Sequence, residues 1–188
     1  NNLTPEYSTG FNFNIHYQPL KTVAVKLNVF RNDIDNLIET RQVATRTNGS
    51  QIFSYVNVKK AYTQGLDAEI SWNIIKNLTL NGGYQLLFTA DKEELERIKS
   101  GKESVRDANN ISRTLLRSEY IGLPNRSRHM ANLKLTYENG ERFFATIRSI
   151  YRSRWAISNT SGNSVYDVND EFAKGFVLIN ISAGKELK

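Results

Sequence analysis

The connections between alternating segments constrain the fold of this chain more than any other feature. Stretches in which apolar and polar residues alternate are joined in two ways. At one end they meet in turns of a few residues, at 18–21, 75–77 and 138–141. At the other end they meet in long, charged, irregular stretches, at roughly 36–54, 89–125 and 156–172. Such an asymmetry predicts a meander of antiparallel strands with all long loops on one side.

Alternation itself predicts seven strands, because successive side chains of a strand point to opposite faces. The alternating segments lie at about 11–17, 23–29, 55–73, 78–86, 131–137, 143–152 and 177–183. One row of each segment is apolar, and the other is rich in Asn, Thr, Gln, Lys and Glu. Strands of about 10–14 residues exceed the 5–6 that soluble sheets usually have.

Aromatic residues decide between a membrane barrel and a soluble sandwich. Tyr17, Trp72, Tyr137 and Phe143 lie on the apolar rows within a few residues of the short turns. An interfacial aromatic belt occupies that position in bacterial outer-membrane barrels, which also have short periplasmic turns and long extracellular loops. The sequence therefore predicts an all-β, antiparallel transmembrane β-barrel. A soluble sandwich, which also alternates, is the alternative.

Composition excludes several other classes. The 188 residues include no Cys, so no disulfide framework or Cys-based metal site is expected. No run approaches the roughly 20 apolar residues of a transmembrane helix, and residues 1–20 lack the pattern of a signal peptide. The formal charge of +6 is spread along the chain. Nucleic acid is not an expected partner, because a basic stripe with stacking aromatics is absent.

One helix is predicted inside the longest connection. Asp91 is placed to N-cap it, with Glu94 three residues later completing a capping box, and Gly101 is placed to end it. Glu93 and Arg97 have the spacing of an ion pair on one helix face. We interpret this helix as a solvated cap on the loop.

Catalytic chemistry is not indicated. His16 and His129 lie far apart on separate strands, and no nucleophile elbow or glycine-rich phosphate loop is present. Asp67 and Glu69 point the same way, which in a barrel makes an acidic spot in the lumen. We therefore predict no enzyme activity, no metal site and no cofactor.

The candidate binding residues lie in the long loops. Arginine offers a planar fork for carboxylate or phosphate groups, and aromatic rings offer stacking faces. The loop candidates are Arg113, Arg117, Tyr120, Arg152, Arg154, Trp155 and Tyr166. The polar residues predicted to face the lumen are Asn12, Asn14, Asp67, Glu69, Asn81, Gln85, Lys134 and Arg148. An anionic ligand fits the first set, although loops packing on one another would use the same residue types.

Five segments in this order resemble a known family. Residues 2–10 begin Asn-Leu-Thr-Pro-Glu and are similar to a segment that opens a late barrel strand of TonB-dependent outer-membrane receptors. Residues 29–38 and 55–69 resemble two further strand segments of those receptors. Gly83 with Tyr84 fits the next strand, and residues 123–133 resemble the start of the strand after it. The resemblance is to receptors of Bacteroides-like bacteria, of the colicin I, haem and siderophore receptor type.

The resemblance implies a fold, a location and partners. Such receptors are 22-stranded barrels in the bacterial outer membrane, closed by an N-terminal plug on which the TonB complex pulls. Residues 1–188 would form part of that barrel domain, without the plug, the TonB box, the early strands or the last strands. Expected partners are outer-membrane lipid, the plug of the same full-length chain, the TonB complex through the plug, and a small-molecule iron chelate or haem. By this resemblance His16 or His129 is a candidate axial ligand of haem.

Three functions therefore stand beside one another. The first is active import of an iron chelate (siderophore) or haem through such a receptor, and other nutrients, cobalamin included, remain open. The second is a soluble β-sheet binding or adhesion module. The third is a passive porin, which shares the barrel architecture with the first.

Overall fold

The described part of the chain contains eleven strands and one α-helix. The computed structural model describes residues 3–106, 111–140, 143–160, 163 and 165–185. In chain order the elements are β1 (Tyr7–Leu20), β2 (Val23–Thr45), β3 (Gln51–Ile75), β4 (Leu78–Asp91), α1 (Lys92–Lys99), β5 (Ser104–Arg106), β6 (Ser112–Thr114), β7 (His129–Glu138), β8 (Phe143–Arg152), β9 (Trp155–Ser158), β10 (Glu171–Ala173) and β11 (Phe176–Lys185). A single turn of 3₁₀-helix spans Arg117–Glu119.

Seven of these strands form one antiparallel sheet in the order β1-β2-β3-β4-β7-β8-β11. The seven predicted strands are confirmed, and each pairs with its predecessor in the sheet. Lys21 and Thr22 join β1 to β2, and Lys76 and Asn77 join β3 to β4, so these short turns are also as predicted. The third turn includes residues 141 and 142, which lie outside the described residues. We call the end of the strands that carries these short turns the turn end, and the opposite end of the strands the loop end.

Strand register divides the sheet into two chemically distinct faces. Val25 pairs with Ile70, Ile70 with Gly82, and Gly82 with Leu133. This apolar face contains all the apolar residues predicted to share one surface: Phe11, Val25, Ile70, Leu80, Leu133, Ile147 and Ile179. Phe11 and Ile179 remain 70% and 61% exposed, so no described part of the chain covers this face. Tyr137 and Phe143 lie on it at the turn end, with ring centroids 6.3 Å apart.

The opposite, polar face contains every residue predicted to face the lumen. Asn14 pairs with Asn28, Asn28 with Asp67, and Asp67 with Gln85. Asn28 Nδ2 and Gln85 Nε2 donate to the two carboxylate oxygens of Asp67, at 3.2 and 2.9 Å. Asn12, Glu69, Asn81, Lys134 and Arg148 occupy neighbouring positions on the same face.

The stretch 36–54, predicted to be an irregular loop, is mostly strand. β2 continues to Thr45 and β3 begins at Gln51, which leaves only residues 46–50 as the connection. Asn36 has a φ of +57°. Ile34 before it and Leu37 after it pack in one cluster with Ala61 and Leu123 on the polar face. The alternation therefore changes from even-numbered to odd-numbered residues at Asn36, because a left-handed residue breaks the strand geometry, and this break hid the strand from the sequence analysis.

Asn57 ties the N-terminal segment to this hairpin. Its amide exchanges two hydrogen bonds with the backbone of Thr4, at 2.9 and 3.0 Å. The same amide donates to the carbonyl of Asn36 at 2.7 Å, and Asn36 Nδ2 donates to the carbonyl of Pro5 at 3.3 Å. Three of the segments that resemble the receptor family therefore meet at one point of the fold.

Candidate ligand-binding loop layer

A small hydrophobic core holds the loops together at the loop end. Its buried side chains come from β4, α1, β5 and the segments that follow β6 and β9. They are Ala90, Leu95, Ile98, Val105, Leu115, Tyr120 and Val165. Tyr62 of β3 packs against this group and joins it to the sheet. The long connections therefore form a folded layer of defined structure, which we call the loop layer.

Helix α1 belongs to the loop layer through one buried face. The Asp91 side chain accepts hydrogen bonds from the backbone N–H groups of Glu93 and Glu94, so the predicted N-cap is confirmed. The second half of the capping box runs through another residue. Asp91 N–H donates to the Tyr120 hydroxyl at 2.9 Å, and that hydroxyl donates to Glu94 at 3.0 Å. The helix ends at Lys99, and Gly101 follows with a φ of +69°.

Charged groups are buried where α1 meets the hairpin of β2 and β3. Arg41 Nη2 lies 3.1 Å from carboxylate oxygens of both Asp91 and Glu94. Glu94 is only 2% exposed, and burial raises its pKa to about 7. Burial likewise raises the pKa of Glu39, which the charges of Arg126 and Arg41 partly oppose. The prediction of α1 as a solvated cap is therefore wrong, because its Glu94, Leu95 and Ile98 are all buried.

The first predicted group of loop residues is engaged within the loop layer. Arg113 donates from both terminal nitrogens to the carboxylate of Glu119, whose pKa falls to about 2 as a result of that pairing. The Arg117 guanidinium lies 5.3 Å from the centre of the Tyr120 ring. Tyr120 is 2% exposed, and both sides of its hydroxyl are occupied within the protein. Its observed role is to connect α1 to the small hydrophobic core of the loop layer, which we call the loop core.

The second predicted group lies around the β8–β9 connection. The Arg152 guanidinium stacks 3.8 Å from the Trp155 ring and donates to Ser127 Oγ at 2.7 Å and to the Asn125 carbonyl at 3.3 Å. Arg154 lies 4.5 Å from the ring of Phe172. Tyr166 is half-buried, and its carbonyl accepts from Ile121 N–H at 3.0 Å. Arg152 and Trp155 thus lie in contact, Arg154 lies against Phe172, and the backbone of Tyr166 pairs with that of Ile121.

The segment 121–129 crosses from the loop layer back to the sheet and shapes a cavity. Gly122 has a φ of +99°, and a Cβ on it would lie 2.2 Å from the Thr89 carbonyl oxygen, so only glycine permits the crossing. A cavity of about 250 Å³ follows, lined among others by Arg126, Arg128 and Arg154. Arg126 and Arg128 were not among the predicted binding residues. The density of Arg at 126, 128, 152 and 154 was the available signal.

The two histidines take different positions. His129 lies on the apolar face, where its Nδ1 is 2.7 Å from the Tyr84 hydroxyl. His16 lies on the polar face opposite Lys26, four residues from the end of β1 and close to a short turn. His129 also lines the cavity described above, His16 lies away from it, and the two histidines do not meet. Within the described ranges no three His, Asp or Glu side chains are grouped to hold a metal ion.

No helix in the described part of the chain has the length and apolar character needed to cross a membrane.

Solved structures share this fold. The copper transporter OprC matches with a TM-score of 0.66 and 14% identity, covering 99% of this chain and 24% of that chain. A variant of the ferric enterobactin receptor of Pseudomonas aeruginosa, solved in complex with enterobactin, matches with a TM-score of 0.62 and 16% identity, covering 97% and 24%. The siderophore receptor PirA of Acinetobacter baumannii matches with a TM-score of 0.59 and 14% identity, covering 99% and 26%. This chain thus spans about a quarter of each.

No curated protein matches the sequence. The family model for the TonB dependent receptor-like β-barrel matches residues 1–188, the whole chain. The antiparallel sheet, its two faces and its long loops agree with that match. The chain therefore forms part of the wall of a β-barrel in the bacterial outer membrane, and it belongs to the TonB-dependent receptor family.

Proposed function

We propose that the full-length protein is an active-transport receptor that captures an iron chelate of the siderophore class and imports it with energy delivered through TonB. The observation that carries the proposal is the loop layer. Arginines and aromatic rings lie beside a folded hydrophobic core at the loop end of the sheet, and one face of that sheet is apolar. A passive porin requires no such ordered group of cationic and aromatic side chains above its wall.

The polar face would line the lumen and contact the plug of the full-length chain. Its row of Asn, Asp and Gln side chains crosses four strands and offers hydrogen bonds at one level of that lumen. The apolar face would contact outer-membrane lipid. The proposed ligand contacts are Arg113, Arg117, Arg152, Arg154, Trp155 and Tyr166, while Tyr120 is assigned to the loop core.

The positions of the histidines favour a siderophore over haem. An axial haem ligand in a receptor of this kind would have to point into the loop layer or the upper lumen. His16 lies near a short turn and is not placed for that role, and the ring of His129 is engaged at Nδ1 by the Tyr84 hydroxyl on the apolar face. Catecholate and carboxylate groups of an anionic chelate suit arginine forks and aromatic rings instead.

Uptake of radioactive iron by cells that express the full-length gene tests the proposal. Cells grown in low iron would be given ferric siderophores of several classes, and haem in parallel. We expect saturable uptake of one chelate that disappears in a host without TonB. Uptake that rises linearly with concentration and persists without TonB would show a passive porin instead.

A further inference from the structure

We propose that the cavity bounded by Arg126, Arg128 and Arg154 is a binding site for an oxyanion, a phosphate or a carboxylate group. This goes beyond the proposed function, because it assigns a chemistry to a site whichever solute is imported. Arg126 and Arg128 lie two residues apart on the segment 121–129, Arg154 follows β8, and all three line one space of about 250 Å³.

Backbone geometry builds the site. Gly122 lets the crossing segment approach Thr89, and Leu123 N–H donates to Thr89 Oγ1 at 3.0 Å. Farther along, Ser127 is buried and accepts from Arg152 while donating to the Ser153 carbonyl at 2.9 Å. With Ser127 held against β8, its exposed neighbours Arg126 and Arg128 are left to line the cavity.

Aromatic rings hold two of the guanidinium groups in place. Arg128 lies 5.0 Å from the centre of the Phe88 ring, and Arg154 lies 4.5 Å from that of Phe172. Stacking leaves the edge of a guanidinium, with its N–H donors, free for an acceptor. Two of the three arginines are therefore held by a ring, while Arg126 is exposed.

Carboxylates do not line this space in the described part of the chain. Its other lining side chains are apolar, hydroxyl or imidazole groups, and none of the three arginines has an ion pair there within 4 Å. The charge of Arg126 acts on Glu39, but Glu39 is 8% exposed and lies outside the lining. Three like charges around one cavity repel one another, and a bound anion removes that cost.

The size of the cavity limits the ligand. Sites for drug-sized molecules occupy roughly 300–1,000 Å³, so this one suits a single small group. A phosphate or a carboxylate can accept two parallel hydrogen bonds from an arginine fork. The group has two possible sources, an arm of an imported solute or the headgroup phosphate of an outer-leaflet lipid.

Calorimetry on the full-length receptor tests the assignment. The protein would be purified in a nonionic detergent without phosphate and titrated with inorganic phosphate and with citrate. We expect binding that weakens at least tenfold in the double variant Arg126→Gln/Arg154→Gln. The charge-preserving variant Arg126→Lys/Arg154→Lys should lose less, since it retains the field but not the fork.

A matched control removes one exposed charge elsewhere. Arg46 lies in the exposed connection between β2 and β3, so Arg46→Gln should bind both probes as the wild type does. Circular dichroism and heat-dependent gel mobility would verify that each variant is folded. The assignment is overturned if the wild type binds neither probe, or if Arg46→Gln weakens binding as much as the double variant.

Two further measurements identify the source and separate this site from the import function. Phosphate-containing lipid that co-purifies with the wild type and is lost from the double variant assigns the site to lipid. Displacement of bound phosphate by a ferric chelate assigns it to the solute. Retained phosphate binding without any TonB-dependent uptake would refute the proposed function alone, and uptake without oxyanion binding would refute this site alone.

Discussion

Tyr120 joins helix α1 to the loop core through one hydroxyl. That hydroxyl accepts from Asp91 N–H and donates to the buried Glu94. In Tyr120→Phe both partners stay buried and lose their hydrogen bond, which costs about 1–3 kcal/mol. We expect faster proteolysis and faster amide exchange in residues 92–106, with an unchanged barrel. Ser118→Ala, at an exposed position nearby, is the control, and equal protection in both variants would contradict this role.

Glu94 makes the loop layer sensitive to pH. Its pKa is raised by burial to about 7, against an ordinary value of 4.5. The folded loop layer therefore binds a proton that the unfolded one releases between pH 4.5 and 7, so its stability falls as the pH rises through that window. The charges that face Glu94 are Arg41, Asp91 and Arg97.

Hydrogen exchange of α1 between pH 5 and pH 8 measures this effect, after correction for intrinsic rates. Protection should decrease toward pH 8 in the wild type. Glu94→Gln cannot titrate, so its protection should stay nearly constant over the same range. A wild-type profile as flat as that of the variant would contradict the assignment.

Gly122 controls how the crossing segment meets β4. A Cβ at this position would lie 2.2 Å from the Thr89 carbonyl oxygen, and the φ of +99° already disfavours any other residue. Gly122→Ala should therefore displace residues 121–128 and weaken oxyanion binding, at a cost of about 1–3 kcal/mol for the strained backbone. Gly140→Ala is the matched control, because its added Cβ meets no atom within 4 Å. Equal binding in both variants would contradict the account.

The strands were predictable because period-two alternation is a direct consequence of strand geometry. Residues 11–17 and 177–183 lie in strands on the expected faces for that reason. The hairpin above Asn36 was missed because the alternation shifts by one residue there, and a shifted pattern is not recognised as one strand. A break of this kind has the sequence pattern of a loop.

The loop layer was less predictable, because its contacts join residues that are distant in the sequence. Asp91 was identified as an N-cap from local spacing alone, and it is one. Arg41, Glu94 and Tyr120 come from three parts of the chain, and local spacing carries no signal that they meet in one buried cluster. Of the cavity arginines, Arg154 was predicted as a binding residue, whereas Arg126 and Arg128 were missed because lining one cavity depends on the whole path of the chain.

The two faces of the sheet differ in chemistry across all its strands. Leu133 lies in the middle of β7 on the apolar face, and its neighbour Asn132 lies on the polar face. A cationic side chain on the lipid side near the midplane of a barrel costs roughly 2–4 kcal/mol. Leu133→Lys in the full-length protein should therefore prevent assembly in the outer membrane, while Asn132→Lys should assemble normally. Cell fractionation with heat-dependent gel mobility reports both, and normal assembly of Leu133→Lys would contradict the orientation.

The hairpin of β2 and β3 is far longer than a membrane requires. β3 has 25 residues, whereas a spanning barrel strand needs about 9–11. At about 3.3 Å per residue and a tilt near 40°, its upper end rises on the order of 30 Å above the lipid. The connection at residues 46–50 thus forms the tip of a ridge on the cell surface. Antibodies and bacteriophage tail fibres would meet this ridge before any other described part of the chain, so an antibody raised against the tip should label intact cells.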